Sequence, residues 1–158
     1  MLRTNVLRSD LELILEQTED VWAHLQGARI FITGGTGFFG RWLLESFAWA
    51  HDRLNLDVSA VVLSRAPQQF LQQAPHLGAH SAIQFNAGDV RSFDHPGGEF
   101  SHVIHAATDA RASLIMGAPL AMFDTIVEGT RRVLEFAADR RTSSFLLISS
   151  GAVYGKQP

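Results

Sequence analysis

Cysteine is absent from the 158 residues. That excludes a disulfide framework, thiolate catalysis and any Cys-ligated metal. Lysine occurs once, as Lys156, and tyrosine once, as Tyr154. Excess positive charge is absent too: Lys+Arg is 13 against Asp+Glu 16, a formal charge of −3 with a pI near 6.1. A strongly basic nucleic-acid surface is therefore not expected. No apolar run approaches the ~18 residues of a membrane span. Met1–Arg8 carries two arginines with no apolar stretch behind them, so it does not read as a targeting segment. These absences predict a soluble cytoplasmic chain with neither nucleic acid nor membrane as partner. What is present suits one globular domain: 46% hydrophobic and 18% charged residues, in a length within the ~100–200 residues of a common domain.

The chain divides into residues 1–27 and 28–158. The first part holds five acidic and two basic residues. Ser9 with Glu12 has the form of a capping box. Leu11, Ile14, Leu15, Thr18, Val21, Trp22 and Leu25 follow at helical spacing, and Gly27 is a stop. This predicts an amphipathic helical extension packed on the main domain. Beyond it, strand and helix signals alternate. Strands are predicted at Arg29–Thr33, Val58–Leu63, Ala82–Phe85, His102–Ala107 and Ser144–Ser149. Helices are predicted at Phe38–Ala50, Pro67–Gln73 and Leu120–Ala138, the last with Leu120, Phe123, Val127 and Leu134 mostly in the core. Such alternation implies right-handed βαβ crossovers and an α/β, Rossmann-like, doubly wound parallel sheet.

The strongest local signal is Thr33-Gly34-Gly35-Thr36-Gly37-Phe38-Phe39-Gly40, between a strand and a helix. A dinucleotide turn needs glycines for separate reasons. Gly34 allows the tight exit from the strand. Gly37 removes a Cβ where a pyrophosphate approaches. Gly40 permits close packing of helix on strand. The amides of Phe38 and Phe39 are placed to meet phosphate at the positive end of the helix dipole.

In this context GGTGFFG resembles the cofactor loop of the extended short-chain dehydrogenase/reductase family, the NAD-dependent sugar-nucleotide epimerases and dehydratases. Further segments agree in order over roughly residues 28–156. Asp89-Val90 is similar to the family's adenine-contacting segment. His105-Ala106-Ala107 resembles its H-x-A segment beside the cofactor. Glu128-Gly129-Thr130 with Val133-Leu134-Glu135 resembles its G-T-x-x-x-L-E helix. Ser149-Ser150-Gly151-Ala152-Val153-Tyr154-Gly155 resembles its S-S-x-x-V-Y-G segment. The resemblance implies an oxidoreductase that works by hydride transfer through a keto-sugar intermediate. It implies a nucleotide-sugar substrate, Ser150 as the hydroxyl facing substrate, and a homodimer as one arrangement. It also implies a general base in a Y-x-x-x-K pair, which a chain with Tyr154 and Lys156 two apart does not contain. The chain is therefore expected to be the N-terminal, cofactor-binding part of an enzyme, truncated after about the fifth strand and inactive alone. Gly151-Ala152 replaces the Asp-Glu of the dehydratases, which speaks against dehydration by that mechanism. Ile126 replaces the family's helix Asn. Two other readings stay open: a nicotinamide-sensing module without catalysis, and an NADPH-dependent reductase of a non-sugar carbonyl.

The choice of dinucleotide also stays open. After the second strand stands Ser64-Arg65, where an acidic residue would hold the ribose hydroxyls of NAD. Arginine pairs with a 2′-phosphate and leans to NADP; the family name leans to NAD. Seven histidines raise the question of a metal. His76 and His80 have i, i+4 spacing, yet Pro75 and Gly78 speak against a helix there. His102 and His105 fall on opposite faces of one strand. No metal site is expected.

Overall fold

A computed structural model describes residues 7–108 and 117–155; Lys156 and most of the Met1–Arg8 segment lie outside them. One parallel sheet holds β1 (Arg29–Thr33), β2 (Ser59–Ser64), β3 (Ile83–Ala87), β4 (His102–His105) and β5 (Ser144–Leu147) in the order β3-β2-β1-β4-β5. The helices described are α1 (Arg8–Ala23), α2 (Phe38–Leu54), α3 (Pro67–Gln73), α4 (Pro75–Gly78) and α5 (Pro119–Asp139), with a 3₁₀ turn at Gly151–Tyr154.

Both faces of the central strands are buried, as a sheet covered on two sides requires. Ile30, Ile32, Ala60 and Val62 pack with Leu44, Phe47, Phe70 and Leu77 on one face. Phe31, Val61, Leu63 and Val103 pack with Val133 and Phe136 on the other. Phe31 is the hub of the second face, with ring centroids 4.5 Å from Phe136 and 5.3 Å from Phe93. This is the doubly wound, Rossmann-like architecture the strand–helix alternation predicts. The chain winds outward from β1 through β2 to β3, then returns to lay β4 on the other side of β1. That reversal opens a crevice beyond the carboxyl ends of β1 and β4.

Three local expectations are overturned. The Ser9–Glu12 capping box does not form: the N-cap is Leu7, without a side-chain cap. Ser9 lies inside the first turn, and Glu12 instead accepts a hydrogen bond from Arg8 Nε at 3.0 Å. Pro75–Gly78 does form one helical turn. Proline is tolerated at N1 because that N–H has no intrahelical acceptor in any case. The third correction concerns α5. Its buried stripe is Gly129, Val133, Phe136 and Ala137, while Leu120, Phe123 and Leu134 are exposed. The helix is about 31 Å long at 1.5 Å per residue, against roughly 13 Å for a four-residue strand. Only its C-terminal half therefore lies over β4 and the Phe31 cluster. At the other end of the chain, α1 packs on α2 with Leu11 buried and Trp22 and Leu25 against the first core. Arg53 of α2 reaches Glu12 of α1 at 3.5 Å.

Candidate functional site

The turn after β1 is built from close backbone approaches. Gly34 has φ +74°, and a Cβ there would strike the carbonyl of Ala106 at the end of β4. Both the left-handed backbone and the contact exclude other residues. A Cβ on Gly40 would strike the backbone of Gly34 and Gly35. Gly40 thus packs on the turn itself, not on the strand as the spacing suggested. Gly35, which sequence reasoning passed over, is held by a side chain rather than by backbone: a Cβ would sit 2.6 Å from Val62 Cγ1. Gly37 differs from all three. Its Cβ would meet only Gly34 O, at 3.3 Å. That one contact is tight but far looser than the approaches of 2.6 Å or less at the other three, and no other protein atom lies within 4 Å on that side.

Gly37 is also the N-cap of α2, with no side-chain cap. The amide of Gly37 donates to Gly34 O and that of Arg41 to Gly37 O. The intervening amides of Phe38, Phe39 and Gly40 precede the first i→i−4 bond of the helix. Hydrogen-bond donors and the positive end of the helix dipole therefore coincide at this glycine. The Phe38 and Phe39 rings are 76% and 65% exposed and pack edge to face beside this end, 5.5 Å between centroids.

The ends of β2 and β3 border the turn. Ser64 is buried, and its hydroxyl lies 3.0 Å from that of Thr36 in the glycine turn. Arg65 follows it, exposed. Asp89 follows β3, and Arg91 grips it: Nε to Oδ1 and Nη2 to Oδ2 at 2.9 Å each, with the Arg91 amide also on Oδ1. The Arg91 side-chain bonds hold the Asp89 carboxyl below its ordinary value, and the Arg65 charge acts in the same direction. Sequence reasoning missed both Thr36 and Arg91. The D-x-R spacing at 89–91 was the available signal for the second. Val90 points the other way. It is buried in the second core, where a Cβ on Gly129 of α5 would come within 2.8 Å of it.

At the end of β4, Ala106 and Ala107 are half-buried beside Gly34, but the His105 side chain turns into the protein. It is 2% exposed. Nδ1 lies 2.6 Å from Thr33 Oγ1 and Nε2 lies 3.1 Å from Thr130 Oγ1. His105 as placed faces α5, so of the His105-Ala106-Ala107 segment only the alanine backbone borders the turn. Ser150 follows β5 and is exposed, with its carbonyl accepting the Val153 amide at 3.2 Å. The predicted residues thus gather at the carboxyl ends of the five strands, and Val90 and His105 are the two whose side chains leave that edge.

Three other histidines, His51, His76 and His80, are engaged with side chains of α2. His76 Nε2 lies 2.9 Å from the buried Glu45 carboxylate and His80 Nε2 lies 3.2 Å from Asp52. His51, Asp52 and His80 form a group with ligand-type atoms within 4.8 Å of one another. An amide can only donate, and Ala82 N–H points at His80 Nδ1 at 3.2 Å. The ring therefore carries its proton on Nε2 and donates to Asp52. In this arrangement that nitrogen has no lone pair for a metal.

A doubly wound sheet with a glycine turn at the strand reversal and an open helix N-terminus defines the class: a Rossmann-like fold of the dinucleotide type. The model of the NAD dependent epimerase/dehydratase family matches residues 30–158. The chain belongs to that family. A UDP-glucose 4-epimerase of Klebsiella pneumoniae is 27% identical over 139 residues, 82% of this chain and 94% of that protein. Among solved structures, Pen from Bacillus thuringiensis superposes with a TM-score of 0.70 at 22% identity, over 83% of this chain and 40% of that one. The UDP-glucose-4-epimerase of Stenotrophomonas maltophila, solved with bound NAD and formylated UDP-arabinopyranose, superposes at 0.64 and 20% identity, over 82% and 39%. At these identities the solved structures share the fold. The chain spans about 40% of their length. Among the described residues no helix is long and apolar enough to cross a membrane.

Proposed function

We propose that residues 28–158 bind a nicotinamide dinucleotide across the β1–β4 crevice, with residues 1–27 as a helical extension. The chain would supply the cofactor-binding part of an enzyme that acts on a nucleotide sugar. The carrying observation is the contrast within the glycine turn: protein atoms would lie within 2.6 Å of a Cβ on Gly34, Gly35 or Gly40, whereas at Gly37 a single backbone oxygen lies at 3.3 Å, beside helix amides that precede the first i→i−4 bond. Packing alone explains the first three and not the fourth. The amides of Phe38 and Phe39 then hold the pyrophosphate, with Gly37 letting it approach. Asp89 keeps one of its four lone-pair sites clear of Arg91 and can accept from an adenine amino group. Ala106 and Ala107 offer backbone at the floor of the crevice.

Ser64 and Arg65 support NADP alongside the NAD of the family name. No carboxylate stands at the end of β2 to repel a 2′-phosphate, and Arg65 supplies a charged fork for it. The bound dinucleotide would supply the acceptor and donor of hydride. Ser150 would hydrogen-bond the substrate oxygen whose proton moves during that transfer. The proton-transfer pair of the family and most of a sugar pocket would have to come from sequence beyond these residues, because Tyr154 and Lys156 are not one helical turn apart.

A second reading, a dinucleotide-sensing module without catalysis, shares this binding site and needs no such pair. Equilibrium titration of the chain with NAD and with NADP tests the shared claim. Micromolar binding of either supports it. No binding by folded protein would refute it. Arg65→Asp is expected to weaken NADP more than NAD, and equal losses would remove Arg65 from the site.

A further inference from the structure

His105 is chemically out of place: an ionisable ring at 2% exposure, on the face of β4 that otherwise carries Val103 into the apolar core. Burying such a ring costs free energy unless both nitrogens are bonded. Here both are. β1 and β4 pair in register with Thr33 opposite His105, and Thr33 Oγ1 meets Nδ1 at 2.6 Å. From the covering helix, Thr130 Oγ1 meets Nε2 at 3.1 Å. The ring therefore ties β1, β4 and α5 at one point.

That point sits directly below the glycine turn. Thr33 Oγ1 accepts the amide of Ala107 at 3.3 Å, and Thr33 O accepts the amide of Ala106 at 3.1 Å. The Ala106 carbonyl is the group that a Cβ on Gly34 would strike. Position thus passes from His105 to Thr33, from Thr33 to the Ala106–Ala107 backbone, and from there to Gly34. A shift of the Thr33 hydroxyl would loosen the floor of the crevice while leaving the apolar core in place.

We propose that His105 is a positioning residue for dinucleotide binding: by bonding Thr33 and Thr130 together it fixes the Ala106–Ala107 backbone against Gly34. The inference rests on the cofactor reading above. Neutral imidazole fits the site with one N–H and one lone pair. Burial pushes its pKa down, and among the described residues its polar neighbours, from β1 and from α5, are the two threonine hydroxyls. Protonation would force a charge into this apolar surround and make both ring nitrogens donors, so that neither threonine hydroxyl could donate to the ring and the Thr33–Thr130 tie would have to rearrange.

The test combines two readouts on the full chain, each made with wild type, His105→Ala, His105→Asn and Thr130→Val. The first is dinucleotide affinity between pH 7.5 and about pH 5, spanning the imidazole range. The second is hydrogen exchange at the Ala106 and Ala107 amides without ligand. His105→Ala is expected to weaken binding about tenfold or more, the scale of a small misplacement at a binding site, and to speed exchange at Ala107. His105→Asn, which can still meet Thr33, should recover part of both and lose the acid weakening seen in wild type. Thr130→Val leaves the sheet intact and should weaken binding if His105→Ala fails to fold. Wild-type affinity in a folded His105→Ala or Thr130→Val, with unchanged Ala107 exchange, overturns the inference. If wild type binds no dinucleotide while Ala107 exchange still depends on His105, the cofactor reading fails and the structural tie survives.

Discussion

At the scale of single residues, the glycine turn separates two demands that sequence spacing merges. Gly35 is held by packing against Val62, 2.6 Å from a virtual Cβ. Gly35→Ala is therefore expected to cost ~1–3 kcal/mol of stability as an overpacked contact, read as a lowered urea midpoint. Gly37→Ala meets one backbone oxygen at 3.3 Å. It should cost clearly less stability than Gly35→Ala and yet lose dinucleotide binding. Equal stability losses would mean that Gly37 serves packing after all. His105 gives the pH dependence its sign. Its folded pKa lies below the ordinary 6.5. Above that value both states are neutral and stability is level. As the pH falls from about 6.5 toward the lowered pKa, the unfolded chain takes up a proton that the folded chain refuses, so stability drops. Urea unfolding from pH 8 to pH 5 should show this decline, and His105→Asn should flatten it. Glycine identity was legible in the sequence because a turn between strand and helix admits little else. The grip of Arg91 on Asp89 and the Thr36–Ser64 contact were not, since each depends on which side chains the folded crevice brings together.

At the scale of elements, local chemistry and neighbours divide the credit. The helix over Pro67–Gln73 and the strand over Arg29–Thr33 are legible to the residue, because proline at N1 and glycines after the strand fix their ends without help. The strands at β4 and β5 end earlier than their apolar runs, at His105 and Leu147, and nothing local marks those ends. The long helix shows the same limit. Its apolar residues run along its length, but which of them are buried depends on where the sheet ends beneath it. The test is a pair of truncations on α5. Phe136→Ala empties the centre of the aromatic cluster and is expected to cost ~3–5 kcal/mol. Phe123→Ala, 61% exposed, should stay within about 0.5 kcal/mol of wild type. Thermal or urea unfolding of the two variants checks both, and a large loss at Phe123 would return it to the core.

At the scale of the whole molecule, the reversal of strand order places the site before any side chain is considered. The chain leaves β1 in one direction and returns to β4 on its other side, so the crevice, the glycine turn and the helix dipole share one edge. The sequence carries that geometry as an ordered series of short motifs, each weak alone. It carries no equivalent statement of a substrate pocket, and the described residues span about 40% of the solved relatives' length. The outer strand β5 and the free half of α5 leave Leu146, Leu147, Leu120 and Phe123 exposed. The central claim concerns the edge between these parts and is reached most directly by following backbone amide resonances while NAD or NADP is added. Saturable shifts concentrated at Gly37, Phe38, Phe39 and Ala107 are expected. A folded chain whose amides at these positions stay unmoved at millimolar dinucleotide would contradict binding at this turn.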